Sequence, residues 1–266
     1  MVAFLFLNGA GWLLLRFNAQ GHAVENGFIY DSISKSRQKW PDSEVFILGD
    51  SVATQMYPPK EYSGRINSLS MVNPCTLAGQ YFLLKRLAEG NELRGKKIIL
   101  AITPATFGMD FSHKGTFHYV LKPFYNAEFS PWKEGALKTR ITHPIVAMLS
   151  QLPIVRCSNW ISPIPYLNEV QPNRTFISDI NHEYLLKIKS LVDEEGGVLE
   201  LRCTVQPESK RGTFEEKMKS DVEAMGLGKI FHGYLESAIY FPDSFFGSDN
   251  VHLDNPKAAP QNLLNL

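Results

Sequence analysis

The order of apolar and polar positions along this chain predicts a layered α/β protein. Val45-Phe46-Ile47-Leu48 is an unbroken apolar run. Such a run, bounded by turn residues, reads as a strand buried on both faces, which is the habit of parallel sheets. Gly49-Asp50-Ser51 breaks it, and Val52 to Met56 begins a helix. A second short strand is expected over Ile66 to Met71. Thr76 then caps a helix that carries Leu77, Tyr81, Leu84 and Ala88 on one face and stops near Gly90. Ile98 to Ile102 is a third strand. Strands and helices alternating in this way argue for a parallel sheet with covering helices.

Residues 103–180 interrupt the rhythm. They are rich in Pro and aromatics, among them Phe107, Phe117, Tyr125, Trp132 and Trp160, and only Ile141 to Leu152 has helical spacing. A long irregular stretch inside a domain is usually a lid or binding loop. Aromatic faces can stack on sugar rings, although they more often pack an insertion down. The rhythm returns with a helix from His182 to Glu194, whose Tyr184, Leu185, Ile188, Leu191 and Val192 form an apolar stripe. A strand over Val198 to Val205 follows. Thr213-Phe214-Glu215-Glu216 reads as a capping box opening a helix to about Met225. A last short strand is expected from Ala238 to Phe241.

The first segment is different in kind. Val2 to Leu15 is apolar apart from Asn8 and two glycines. As a helix it spans about 21 Å, short of a roughly 30 Å hydrocarbon core. That fits a signal-peptide core or a clipped anchor, and the competing reading is a buried first helix of the globular body. No Lys or Arg precedes the run, and Arg16 follows it. The expected organisation is an apolar segment over 1–16, a connector over 17–42 with weak helical character from Ile29 to Lys39, and one domain over 43–266.

Composition narrows the function classes. Lys plus Arg number 27 and Asp plus Glu 27, so a nucleic-acid surface is not expected. Cys75, Cys157 and Cys203 are widely spaced and odd in number, which matches neither a zinc site nor a disulfide framework. His113, His118, His143, His182 and His232 pair with no Cys, Asp or Glu at metal-ligand spacing.

Two stretches carry chemistry. A strand that ends in a sharp turn bearing Ser51 and runs at once into a helix puts a hydroxyl at the C-terminal edge of a sheet, where open α/β folds bind ligands. The Ser51 N–H then points from a helix start, where developing negative charge is stabilised. The plain alternative is a turn whose Ser caps the helix. Near the other end stands Ser248-Asp249-Asn250-Val251-His252-Leu253. Asp and His three residues apart can share one turn, with the carboxylate accepting the Nδ1 hydrogen of the imidazole. His252 is then a general base toward Ser51 and an acid toward the leaving group. Each stretch alone reads most simply as a surface turn; together, in this order on an α/β chain, they define a candidate triad of Ser51, Asp249 and His252.

With these residues, the chain resembles the SGNH/GDSL superfamily of serine hydrolases and acyltransferases. The match is Gly49-Asp50-Ser51 for the nucleophile block and Asp249-Asn250-Val251-His252 for the closing block. It covers roughly 43–265, with 103–180 as an atypical insertion. The resemblance implies a flavodoxin-like three-layer α/β/α fold and hydrolysis or transfer of O-acyl groups of a small molecule or polysaccharide, with no metal or organic cofactor. It also implies an extracytoplasmic protein anchored to a bacterial inner membrane through residues 2–15, as in divergent membrane-associated relatives.

Two family blocks depart from the pattern. After the second strand stands Asn73-Pro74-Cys75-Thr76, with Gly79 late and inside the helix; Pro74 has no N–H to offer. After the third strand stands Thr103-Pro104-Ala105-Thr106-Phe107, with no Asn. The oxyanion donors are therefore expected to be the Ser51 N–H plus one of the Cys75 N–H, the Gly79 N–H or the Thr106 hydroxyl. Losing one such donor typically costs about 10²–10³ in kcat. Three functions stay open on the sequence. They are an esterase or deacetylase, an O-acyltransferase with the same triad, and a non-catalytic binding or assembly protein that keeps the fold. Some acetyl-transferring relatives place the Asp-His block before the Ser; here Ser comes first, which favours hydrolysis.

Overall fold

Phe46 and Leu48 point to one side of a strand and Val45 and Ile47 to the other, and all four are buried. Such a strand needs cover on both faces, and the fold supplies it. The structure, a computed structural model, describes residues 1–16, 27–72, 76–109, 152–154 and 176–256. In chain order these form α1 (Val2–Arg16), α2 (Gly27–Ser36), β1 (Val45–Gly49), α3 (Ser51–Met56), β2 (Ile66–Ser68) and α4 (Thr76–Gly90). Then come β3 (Lys97–Ile102), α5 (Pro104–Phe107), α6 (Asp179–Glu194), β4 (Val198–Cys203), β5 (Gln206–Pro207), α7 (Glu215–Ala224) and β6 (Tyr240–Phe241).

The main sheet is fully parallel in the order β2-β1-β3-β4. Its larger core lies on one face, where Phe46, Leu48, Ile98, Leu100 and Ile102 meet α2, α4 and α6. On the other face Val45, Ile47, Ile99 and Ala101 pack against Ala53 and Tyr57 of the short α3 segment. The chain is therefore α/β, with a parallel four-stranded sheet between helical layers. The C-terminal ends of β1, β3 and β4 converge on one edge, which is where the site lies.

Several expected elements change. β2 ends at Ser68 and β4 at Cys203, because beyond them the backbone turns into the loops of the site edge. The helix expected from His182 starts at Asp179, with the Ser178 side chain accepting from the Asn181 N–H. The capping box does not form. Gly212 takes φ +76° and carries the chain through a turn, so Phe214 is the N-cap and its carbonyl accepts from the Met218 N–H. The last strand shrinks to β6, which pairs in parallel with β5 as a separate small sheet.

The reading of α1 as a buried core helix is corrected. Phe4, Leu5 and Phe6 are 53%, 62% and 74% exposed. Among the described residues, Asn8 accepts from the Ile154 N–H at 3.4 Å, and a Cβ on Gly11 would lie 2.8 Å from the Pro153 backbone. Among the described residues, no helix is long and apolar enough to cross a membrane. Cys75, Cys157, the helical stretch read over Ile141 to Leu152 (up to 151) and most of the aromatic insertion lie outside the described residues.

Candidate active site

The Gly49-Asp50-Ser51 turn is built from the sheet outward. Gly49 closes β1, and no side chain fits there: an added Cβ would sit 2.4 Å from the Ala101 carbonyl oxygen and 2.4 Å from the Ala53 Cβ. The Gln80 amide of α4 clasps this residue, accepting the Gly49 N–H at 3.2 Å and donating to its carbonyl at 2.6 Å. Asp50, not Ser51, caps α3. Its Oδ1 accepts from the Val52 and Ala53 N–H groups at 3.1 and 3.3 Å. Its Oδ2 accepts from the Thr103 N–H and hydroxyl at 2.6 and 2.5 Å and from the Thr106 hydroxyl at 2.8 Å. Asp50 is 1% exposed. A buried carboxylate is stable only where donors surround it, and this one ties β1, α3 and α5 to one point. The side chain of Ser51 is thereby released from capping.

The closing loop meets it from the other side. Asn250 holds φ +52°, a left-handed conformation that Asn tolerates, so the chain folds back within four residues. Gly247 N–H donates to the His252 carbonyl at 2.8 Å, and Phe246 and Leu253 form an antiparallel bridge. Within this loop Asp249 Oδ1 accepts from the Val251 and His252 N–H groups at 3.0 Å each, and Oδ2 lies 2.5 Å from His252 Nδ1. His252 Nε2 lies 2.7 Å from Ser51 Oγ, across 201 residues of chain. The structure thus brings Ser51, His252 and Asp249 into one hydrogen-bonded line.

The electrostatics order the protons along that line. Partial desolvation pushes the Asp249 carboxyl up, but the His252 ring and the two loop N–H donors outweigh it and hold it at about 2. At neutral pH Asp249 is therefore an anion and only an acceptor. Nδ1 of His252 must then carry the hydrogen, which leaves Nε2 of the neutral ring to accept from the Ser51 hydroxyl. This is the tautomer that a nucleophilic serine requires.

The expected oxyanion donors fare differently. The Thr106 hydroxyl is 1% exposed and bonded into the Asp50 and Thr103 cluster, so it does not face a substrate. Gly79 is the fourth residue of α4 and is buried in it. Cys75 lies outside the described residues. Ser51 opens α3, with its N–H at the helix start.

A cavity of about 620 Å³ lies elsewhere in the described structure, and none of Ser51, Asp249 and His252 lines it. Pro104, Phe214, Phe231, Tyr240, Lys210 and Arg211 are among the residues that line it. Pro104 follows Thr103, which holds Asp50, and Lys210 follows Ser209, whose hydroxyl accepts from Asn250 Nδ2 at 3.3 Å. Arg211 is already fixed, paired with Glu208 and stacked 4.1 Å over Tyr240. Among the described residues, no group of three or more His, Cys, Asp or Glu is arranged to hold a metal ion. Gln55, Gln80 and Thr103 were not singled out from sequence; Gln55, four residues after Ser51 on a helix, offered a spacing signal, and the others offered none. No protein-family model, curated protein or solved structure matches this chain, so geometry and chemistry carry the functional reading.

Proposed function

We propose that this protein is a serine esterase or deacetylase of the SGNH/GDSL type, acting on O-acyl groups, with an extracytoplasmic carbohydrate as the favoured carrier. The observation that carries the reading is the continuous line from Ser51 Oγ through His252 to Asp249, at 2.7 and 2.5 Å. In this reading Ser51 Oγ attacks the ester carbonyl while His252 Nε2 takes its proton. The tetrahedral species collapses, the ester C–O bond breaks, and His252 returns the proton to the departing alcohol. Water then attacks the acyl-Ser51 carbonyl, again losing a proton to His252. The carboxylic acid leaves and the proton returns to Ser51 Oγ. Asp249 keeps the ring oriented and stabilises the imidazolium in each half. The Ser51 N–H serves as one oxyanion donor. The cavity lined by Pro104, Phe214 and Phe231 together with Lys210, Arg211 and Glu215 has the mixed apolar and polar character that suits an amphipathic ring such as an acylated sugar. Exposed α1 supports a location at a membrane surface.

The test is turnover of p-nitrophenyl acetate by the full chain, beside Ser51→Ala and His252→Ala. The reading expects both variants to lose turnover by about 10³-fold or more while staying folded. Equal turnover in wild type and both variants contradicts it. Adding a sugar acceptor decides the fate of the acyl group: acetate released to water supports hydrolysis, and acetyl recovered on the sugar means that the same triad works by transfer.

A further inference from the structure

The triad joins two parts of the chain that share no backbone, and one side chain bridges them directly. Gln55 sits four residues after Ser51 on α3, so the two lie on the same side of that helix, one turn apart. Its amide makes a paired contact with the residue after the histidine: Nε2 donates to the Leu253 carbonyl at 3.0 Å, and Oε1 accepts from the Leu253 N–H at 2.9 Å. Two antiparallel hydrogen bonds from one planar amide fix distance and orientation together, as a rung of a β-ladder does. The preceding residue ties the same helix the other way, with the Thr54 hydroxyl donating to the Met71 carbonyl at 2.6 Å. α3 is thus held to the sheet edge on one side and to the His252 loop on the other.

We propose that Gln55 is a positioning residue, whose amide sets the register between Ser51 and His252. The inference rests on the serine-hydrolase reading above. The loop it holds is the weakly anchored half of the site: the His252 and Asp249 side chains are 39% and 50% exposed. Among the described residues it is also tied by the His252 contact to Ser51, the Phe246–Leu253 bridge, a small cluster of Val52, Val205, Phe246 and Leu253, and the Asn250 contact to Ser209. None of these reaches from the serine's own helix by hydrogen bonds to the residue next to His252. Reacting groups must sit within a few tenths of an ångström, so a loop freed to shift by about 1 Å costs about 10²-fold in rate.

The experiment compares wild type with Gln55→Ala, Gln55→Leu and Gln55→Glu as full chains. Two readouts are used: the rate of Ser51 labelling by a fluorophosphonate with the kcat and KM for p-nitrophenyl acetate, and hydrogen exchange at the Leu253 amide. Leu keeps the volume, so loss of packing is separated from loss of the clasp. Glu keeps the acceptor for the Leu253 N–H but turns a carboxylate oxygen toward the Leu253 carbonyl. The expected result is about 10²-fold slower labelling and lower kcat in Ala and Leu, at least as great a loss in Glu, unchanged KM, and faster Leu253 exchange. Folded Ala and Leu variants that label at the wild-type rate overturn the proposal and leave the hydrolase reading intact. If wild type itself is inert, the hydrolase reading fails and exchange alone decides: unchanged Leu253 protection in Gln55→Ala overturns the clasp, and lost protection upholds it.

Discussion

The two halves of the candidate site are built in opposite ways. The nucleophile turn is buried: Asp50 is 1% exposed and receives five hydrogen bonds, while Gln80 grips both polar groups of Gly49. The closing loop is half-exposed and held mainly by bonds within itself and a few contacts to α3. One half fixes a hydroxyl as part of the core. The other can let an imidazole accept and release a proton at the edge of solvent. Rigidity in the first half is bought by folding energy, whereas function in the second depends on contacts that contribute little to global stability.

That comparison makes predictions that can be broken. The largest effect is expected at Gly49. Gly49→Ala forces a Cβ against the backbone oxygen of β3 and should cost about 3 kcal/mol, read as a lower urea midpoint. Next come the two aspartates, which should separate stability from activity. Asp50→Asn presents an amide to the Thr103 N–H and should lose about 2–3 kcal/mol. Asp249→Asn should leave the urea midpoint nearly unchanged but lower kcat on the order of 10³–10⁴-fold, because the ring then loses its tautomer. Equal stability losses at both sites would contradict the contrast between the halves.

Smaller effects sharpen it. Asn250→Gly should be near neutral, while Asn250→Val should strain the left-handed turn by about 1–2 kcal/mol locally and slow Ser51 labelling. The pH dependence should fall in two separate windows, with stability rising with pH in each. Lys35 lies under the segment that follows α3, donating to the carbonyls of Pro59 and Tyr62, and burial pulls its ammonium down to about 8. From about pH 8 upward to the ordinary lysine range, the unfolded chain holds a proton that the folded one has lost. Stability therefore rises with pH through that window, an increase that Lys35→Met should abolish. Asp249 has the same sign of slope at the acid end. Its folded value of about 2 lies below the usual carboxylate range, so its small contribution is present above that range and is lost as pH falls through about 2. A urea midpoint followed from pH 7 to 10 and from pH 5 to 2 checks both signs.

The two halves also differed in how far they could be read from sequence. β1 and β3 were legible because parallel strands buried on both faces need continuous apolar runs, and no other element of that length does. Asp249 and His252 were legible because their contact is local, three residues apart. Ser51 was legible from the strand–turn–helix context. What stayed hidden were polar contacts between distant segments. Gln55 meets Leu253 across 198 residues and Asp50 meets Thr103 across 53. Nothing in the periodicity of either segment signals the other. The capping box at Thr213 failed for a related reason: the turn at Gly212 moved the N-cap by one residue, to Phe214, and a motif cannot announce the turn that precedes it. Thr106 looked available as a donor because sequence shows a hydroxyl and not that a buried carboxylate has claimed it.

The most direct test of the central claim is covalent labelling of the full chain with a fluorophosphonate, followed by peptide mass mapping. The account predicts one adduct, on the Ser51 Oγ, absent in Ser51→Ala and strongly slowed in His252→Ala. A folded wild-type protein that takes up no label, or takes it up elsewhere than Ser51, would contradict it.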